Sequence, residues 1–294
     1  MTDAMPRALT QRDFDRFAAL SRDDNPIHCD PAFARGTHFG ATVAHGMFLF
    51  SLLCAHTWRE LAAPALPVAQ TLMFPTPAFA GDAVAFALVP QPQPQPQAGL
   101  AAFGTTVSAG LPGAAPRVAA TGESSWLADA APGRLPSWPG EQPEPGGDPA
   151  LYGLRPGQSA SATRAFTAAD IGEYVALTGD SNPYHADAAF ARARGFGEAA
   201  VPLPLLAGMF SDLLGTRLPG RGTGWMKQSL RLASAARLDE ALTAQVRIVR
   251  LRAGKDLVNL ASVVTGEDGR VVVQGESLVL VRNLADKGSE SRAA

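Results

Sequence analysis

The chain has 294 residues, 46% of them hydrophobic and 18% charged, with a formal net charge of −2. That composition is globular, with length for about two domains, and it excludes intrinsic disorder and a basic nucleic-acid-binding surface. Its two cysteines, Cys29 and Cys54, exclude a disulfide scaffold or a cysteine-based zinc module.

Residues 1–7 carry an acid and no apolar run follows them, so no secretory signal is read there. Thr10 is a candidate N-cap for a short helix over 10–20. An Asp-x-Asn-Pro loop closes it, because Pro26 moves the residue before it out of the helical region. The longest apolar stretch, 41–55, contains His45, Gly46 and Ser51. It falls short of the ~18 residues of a membrane span and predicts a buried helix over roughly 44–61. A soluble cytoplasmic protein is expected, with no membrane or nucleic-acid partner. Residues 90–97 alternate Pro and Gln, cannot supply sheet donors at alternate positions, and predict an exposed loop. Residues 131–150 are rich in proline and glycine and read as a linker between units at 1–130 and 151–284, with 285–294 a disordered tail.

In the second unit Thr167 is the matching N-cap for a helix over 168–177, and an apolar helix is placed at 206–214. Strands are predicted over 242–251, 257–265 and 270–281, with Glu267-Asp268-Gly269 turning the last hairpin. Each unit therefore reads as α+β, a helix wrapped by an antiparallel sheet.

The two units repeat one another. FAALSRDDNPIHCDPAFAR at 17–35 recurs as YVALTGDSNPYHADAAFAR at 174–192, agreeing at more than half of the positions at a constant offset of 157. Gly46-Met47-Phe48 recurs as Gly208-Met209-Phe210 at offset 162, which implies a five-residue insertion, and Asp82 recurs as Asp239 at 157 again. Head-to-tail duplication of one fold explains the pattern.

Within the repeat, Asp23 and His28, and likewise Asp180 and His185, lie five residues apart on a loop pinned by Asn-Pro. A carboxylate and an imidazole converging there can exchange protons near neutral pH and together polarise one water. Asn25 and Asn182 read as loop braces through side-chain-to-backbone bonds.

These segments resemble the signature of the MaoC-like, R-specific enoyl-CoA hydratases: aromatic, aliphatic, Ser/Thr, Gly, Asp, any residue, Asn, Pro, aliphatic, His. The second copy matches from Tyr174 to Ala191 except that Tyr184 replaces the aliphatic residue, and the first from Phe17 to Ala34 except that Arg22 replaces the glycine. His45-Gly46-Met47 is similar to the start of the family's long central helix. The resemblance covers both halves and implies a double hotdog, two fused units each with a central helix wrapped by an antiparallel β-sheet. It implies (R)-specific hydration of trans-2-enoyl thioesters of coenzyme A or a carrier protein, or the reverse dehydration, with no metal or redox cofactor. By the same resemblance Asp23 and His28 activate water while Gly46 donates its N–H to the thioester oxygen. Asp180, His185 and Gly208 are their counterparts.

The departures favour the first copy, which keeps His45-Gly46 and Phe74-Pro75, whereas Ala207 precedes Gly208 in the second. Arg22 sets a cation beside the loop, where it could act on Asp23 or meet a phosphate of the substrate carrier. The rival readings are a hotdog thioesterase and a non-catalytic acyl-thioester-binding protein. His38, His45 and His56 do not have the ligand spacing of a metal site. Fusion supplies the two-unit arrangement internally, so a monomer or a homodimer is expected.

Overall fold

The computed structural model describes residues 7–92, 98–138 and 144–282. In the first half run β1 (Arg7–Ala8), α1 (Gln11–Ser21), α2 (Pro26–Cys29), α3 (Pro31–Arg35), α4 (Gly46–Glu60), β2 (Ala65–Met73), β3 (Ala83–Pro90), β4 (Leu100–Gly110) and β5 (Arg117–Ala128). The second half continues with β6 (Gly146–Gly147), β7 (Ser159–Arg164), α5 (Ala168–Thr178), α6 (Pro183–Ala186), α7 (Ala188–Ala193) and α8 (Leu203–Thr216). It closes with β8 (Gly224–Leu232), β9 (Leu242–Arg252), β10 (Leu257–Thr265) and β11 (Val271–Leu280).

Local chemistry sets the helix ends. The Thr10 hydroxyl accepts from the Asp13 N–H while the Asp13 carboxylate accepts from the Thr10 N–H, and Thr167 with Asp170 repeats this reciprocal cap. Both helices end in a left-handed residue, Arg22 (φ 65°) in one and Gly179 (φ 72°) in the other. Glycine takes that conformation freely, whereas for arginine it costs roughly 1–2 kcal/mol.

All the strands form one sheet in the order β1-β3-β4-β5-β2-β8-β11-β10-β9-β6, with β7 also on β9. The antiparallel pairing of β2 with β8, from Ala69 opposite Arg231 to Met73 opposite Lys227, joins the halves. Helices α4 and α8 pack against each other and against the sheet, and a core cluster containing Phe17, Phe48, Phe50, Tyr174 and Phe210 runs through both halves. On the rim Arg16 meets Glu173, its own counterpart 157 residues on, at 2.7 Å. This is the double hotdog.

Four expectations are revised. Helix α8 begins at Leu203, not near 206, because Pro202 occupies the N-cap and Pro204 the first turn, where a missing N–H breaks no helical bond. Leu203 thus stands where Gly46 begins α4, and no five-residue insertion exists. Pro202, rather than Ala207, replaces His45, with φ/ψ of −57°/135° against −59°/136°. Gly208 consequently sits inside the helix, where its N–H is committed to the ladder, and a Cβ built on it would lie 3.3 Å from the Ser21 Cβ. It is a packing glycine between α8 and the end of α1, not an oxyanion donor.

Of the 131–150 segment, Gly146–Gly147 adds a short parallel pair to β9 and the Trp138 Nε1–H donates to the Leu232 carbonyl at 2.9 Å, so this stretch docks on the second half. The core of the Pro-Gln run, 93–97, and the 285–294 tail lie outside the described residues. Among the described residues no helix is long and apolar enough to cross a membrane.

The strands β8 and β11 approach so closely that a Cβ at Gly275 would overlap the Ser229 carbonyl oxygen. Gly275→Ala should therefore lower stability by about 1–3 kcal/mol, the usual cost of overpacking, measured by urea denaturation.

Candidate active site

The first-half loop is built by two short-range hydrogen bonds. The Asn25 side chain accepts from the Ile27 N–H and starts α2 at Pro26, which turns His28 back toward Asp23. The Asn25 N–H meets Asp23 Oδ1 at 3.3 Å, so the same loop also braces the carboxylate. Both Asp23 and His28 are buried. His28 donates Nδ1–H to the Val43 carbonyl at 2.7 Å, which leaves a lone pair on Nε2, 4.0 Å from Asp23 Oδ2. That gap exceeds a hydrogen bond and suits one bridging water. Burial holds the His28 pKa below its ordinary value, against the pull of Asp23, so the resting ring is neutral.

The second half completes this site. Ser211 of α8 donates its hydroxyl to Asp23 Oδ2 at 2.5 Å, and Leu214 and Gly215 of the same helix line the cavity beside it. The cavity measures about 450 Å³ and is walled by Gly46 and Leu49 of α4, by Phe74–Ala78 after β2, and by Thr223–Met226 of the second half. Gly46, at the first position of α4, has an N–H free of any intrahelical partner and sits at the positive end of the helix dipole. The Phe74 ring lies so close that a Cβ on Gly46 would be 2.7 Å from its Cζ, so only glycine fits there.

The second-half loop has the same backbone and different surroundings. Asn182 caps α6 as Asn25 caps α2, but Asp180 Oδ2 accepts from the Tyr174 hydroxyl at 2.9 Å, where the first half has Phe17. Cys54 stands in the place of Ser211, its thiol pKa pushed well up by burial and then by the Asp180 charge. The His185 Nε2–H is spent on the Asp180 backbone carbonyl at 2.9 Å. The space beside this pair is only about 20 Å³, a single water's worth, closed in by Leu66, Pro67, Trp126 and Phe196. By strand register Leu66-Pro67 correspond to Gly224-Trp225 of the open cavity.

The structure thus brings Asp23, His28 and Gly46 together on one cavity and keeps Asn25 as a brace. Asp180, His185 and Asn182 form a closed replica, and Gly208 belongs to neither. Arg22 lines a separate polar groove with Arg164 and Arg217, not the cavity that holds Asp23. Ser211 was not found by sequence reasoning. It lies 188 residues from Asp23, and its only signal was occupancy of the Cys54 position in the second copy. Asp23, His28 and His45 place potential ligand atoms within 4.8 Å of one another. However, the two imidazoles stack at 3.7 Å, which sets their in-plane lone pairs side by side rather than toward a common point.

One aspartate–histidine pair thus faces a ligand-sized cavity between the two halves, and the comparisons with known proteins place the chain among enzymes of the hydro-lyase class. Residues 2–92 match the MaoC like domain and residues 157–275 the FAS1-like dehydratase domain region. An (R)-specific enoyl-CoA hydratase of Aeromonas caviae is 36% identical over 126 residues, covering 43% of this chain and 94% of the relative. A 3-hydroxybutyryl-CoA dehydratase of Methylorubrum extorquens is 30% identical over 128 residues, covering 44% of this chain and 81% of the relative. A solved MaoC-like dehydratase superposes over 94% of this chain and 95% of its own at a TM-score of 0.72 and 14% identity. A Mycobacterium tuberculosis protein described as a double hotdog does so over 95% and 94% at 0.68 and 13%. The chain belongs to the MaoC-like, (R)-specific enoyl-CoA hydratase family.

Two buried imidazoles make the fold acid-sensitive. Burial lowers the His28 pKa, and burial followed by the neighbouring His28 lowers that of His45 to about 3, from an ordinary value of 6.5. The unfolded chain then binds more protons than the folded one, so stability from these groups is full above pH about 6.5 and is lost as pH falls. The Tm should drop from pH 7 to pH 4, and less steeply in His45→Gln, as read by calorimetry.

Proposed function

We propose that the protein hydrates trans-2-enoyl thioesters to (R)-3-hydroxyacyl thioesters, or dehydrates them in reverse, at the Asp23–His28 pair. The observation that carries this reading is the contrast between the two loops. One pair faces a ligand-sized cavity with a free imidazole nitrogen, and the other is closed and hydrogen-bonded to itself. In this reading the 1–130 unit supplies the chemistry, while the 151–284 unit supplies Ser211 and the far wall.

The thioester oxygen binds the Gly46 N–H at the start of α4, where the helix dipole favours the negative charge that develops as the enolate forms. A water held between His28 Nε2 and Asp23 attacks C3. The pair takes one proton of that water and returns it to C2, while the new hydroxyl keeps the other proton, so the elements of water are added and nothing else is consumed. Attack and proton return come from one face, which makes the addition syn. Ser211 and the Asn25 N–H hold the Asp23 oxygens in register, and Val43 holds the His28 ring. The cavity runs from this pair into apolar space between the halves, past Leu49, Leu214 and Trp225, and receives the acyl chain there.

Mixing the protein with crotonyl-CoA should bleach the enoyl-thioester absorbance without release of thiol. Thiol release would identify a thioesterase, and neither signal a binding protein. Asp23→Asn and His28→Gln should each lower kcat by about 10²-fold or more, and the double variant should be scarcely worse than the poorer single, because the two act on one water. Asp180→Asn should stay within about threefold of the parent, since its carboxylate meets no ligand-sized space. Dialysis against EDTA should leave the rate unchanged. Activity restored only by added zinc would overturn the metal-free mechanism.

A further inference from the structure

The two halves hold the same aspartate–histidine loop with Nε2 on the aspartate side in each, but a different ring nitrogen of the histidine bonds the backbone. In the first half His45, the N-cap of α4, donates Nε2–H to the Asp23 backbone carbonyl at 3.0 Å and stacks on His28 at 3.7 Å, with 25° between the rings. His28 is thereby kept off that carbonyl, uses Nδ1–H on Val43, and leaves Nε2 facing Asp23. In the second half Pro202 takes the N-cap with the same backbone angles and has neither ring nor donor. There His185 moves into the vacated bond, donating Nε2–H to the Asp180 carbonyl and standing edge-on to Tyr174 at 5.6 Å.

We infer that His45 is a positioning residue: by occupying the Asp23 carbonyl and stacking on His28, it selects the His28 tautomer whose Nε2 is free to meet the water. The effect on rate rests on the function proposed above, whereas the effect on the ring does not. The energetic reason is competition for one acceptor. A buried carbonyl left without a donor is worth about 1–3 kcal/mol to whichever group can reach it, and His28 and His45 are the two imidazoles beside the loop. Neutrality suits the role. His45 is fully buried, and its pKa, lowered to about 3 by burial and by His28, keeps it a fixed single donor that brings no competing charge to the pair. Phe17, at 5.2 Å, closes the other side of the ring.

The test is the tautomeric state of the five histidines, read by long-range ¹⁵N–¹H correlation on the ¹⁵N-histidine-labelled full chain and assigned by single substitutions. The parent should show His28 as the Nδ1–H form and His185 as the Nε2–H form. In His45→Leu, His28 should convert to the Nε2–H form and kcat/KM for crotonyl-CoA should fall by about 10²-fold, the scale of a misplaced catalytic group. In His45→Gln, whose amide N–H reaches the same carbonyl, His28 should remain Nδ1–H and the rate should stay within about 10-fold of the parent. Pro202→His, made on an N-cap with the same backbone angles, should turn His185 to the Nδ1–H form, and it decides the question should His45→Leu fail to fold. His28 remaining Nδ1–H in His45→Leu, or His185 remaining Nε2–H in Pro202→His, overturns the inference. Conversion of His28 with an undiminished rate would support the positioning and overturn instead the catalytic role proposed for His28.

Discussion

Everything at the active site depends on the pairing of β2 with β8. Either strand alone would leave a row of backbone donors and acceptors at an open edge. Pairing them makes one continuous sheet and fixes the halves about a pseudo-twofold axis, with Gln70 and Gln228 buried at the seam and bonded within it. The same constraint packs α4 against α8, so each half's loop is roofed by the other half's helix. Ser211 reaches Asp23 because of that geometry, and Cys54 stands toward Asp180 for the same reason. Neither half alone could build the cavity, whose walls come from both.

Within that symmetric frame a few side chains break the symmetry, and they do so together. Phe17 leaves the Asp23 carboxylate to a serine and a loop N–H, whereas Tyr174 takes up Asp180. Gly224 leaves room where Leu66 fills it. His45 occupies the Asp23 carbonyl, and where Pro202 stands in its place His185 occupies the Asp180 carbonyl instead. Each change alone would weaken a site. In combination they leave one half as a packed wall that still presents the loop's capping hydrogen bonds, since those bonds hold the backbone whether or not chemistry follows. That is why the motif stands intact in a half where the space beside it is only about 20 Å³.

The readings that succeeded rest on short-range bonds. The Thr10 and Thr167 caps and the Asn-Pro starts of α2 and α6 were legible because the residues that make each bond lie within a few positions of one another, and the strand 257–265 was legible from its β-branched residues. The equivalence of Gly208 with Gly46 misled because a shared Gly-Met-Phe was weighed above helix position, while Pro202 and Pro204, which look like breakers, are tolerated in a first turn.

The sequence by itself determined the fold class, the duplication, the two aspartate–histidine loops and the family they resemble, since each is encoded in contiguous residues and their hydrogen bonds. Only the tertiary structure decided which loop opens on a cavity, that Ser211 completes it from the other half, and which ring nitrogen each histidine commits to the backbone. Those properties depend on residues far apart in the chain competing for the same space and the same carbonyl, and such competition is settled only when the two halves are packed together.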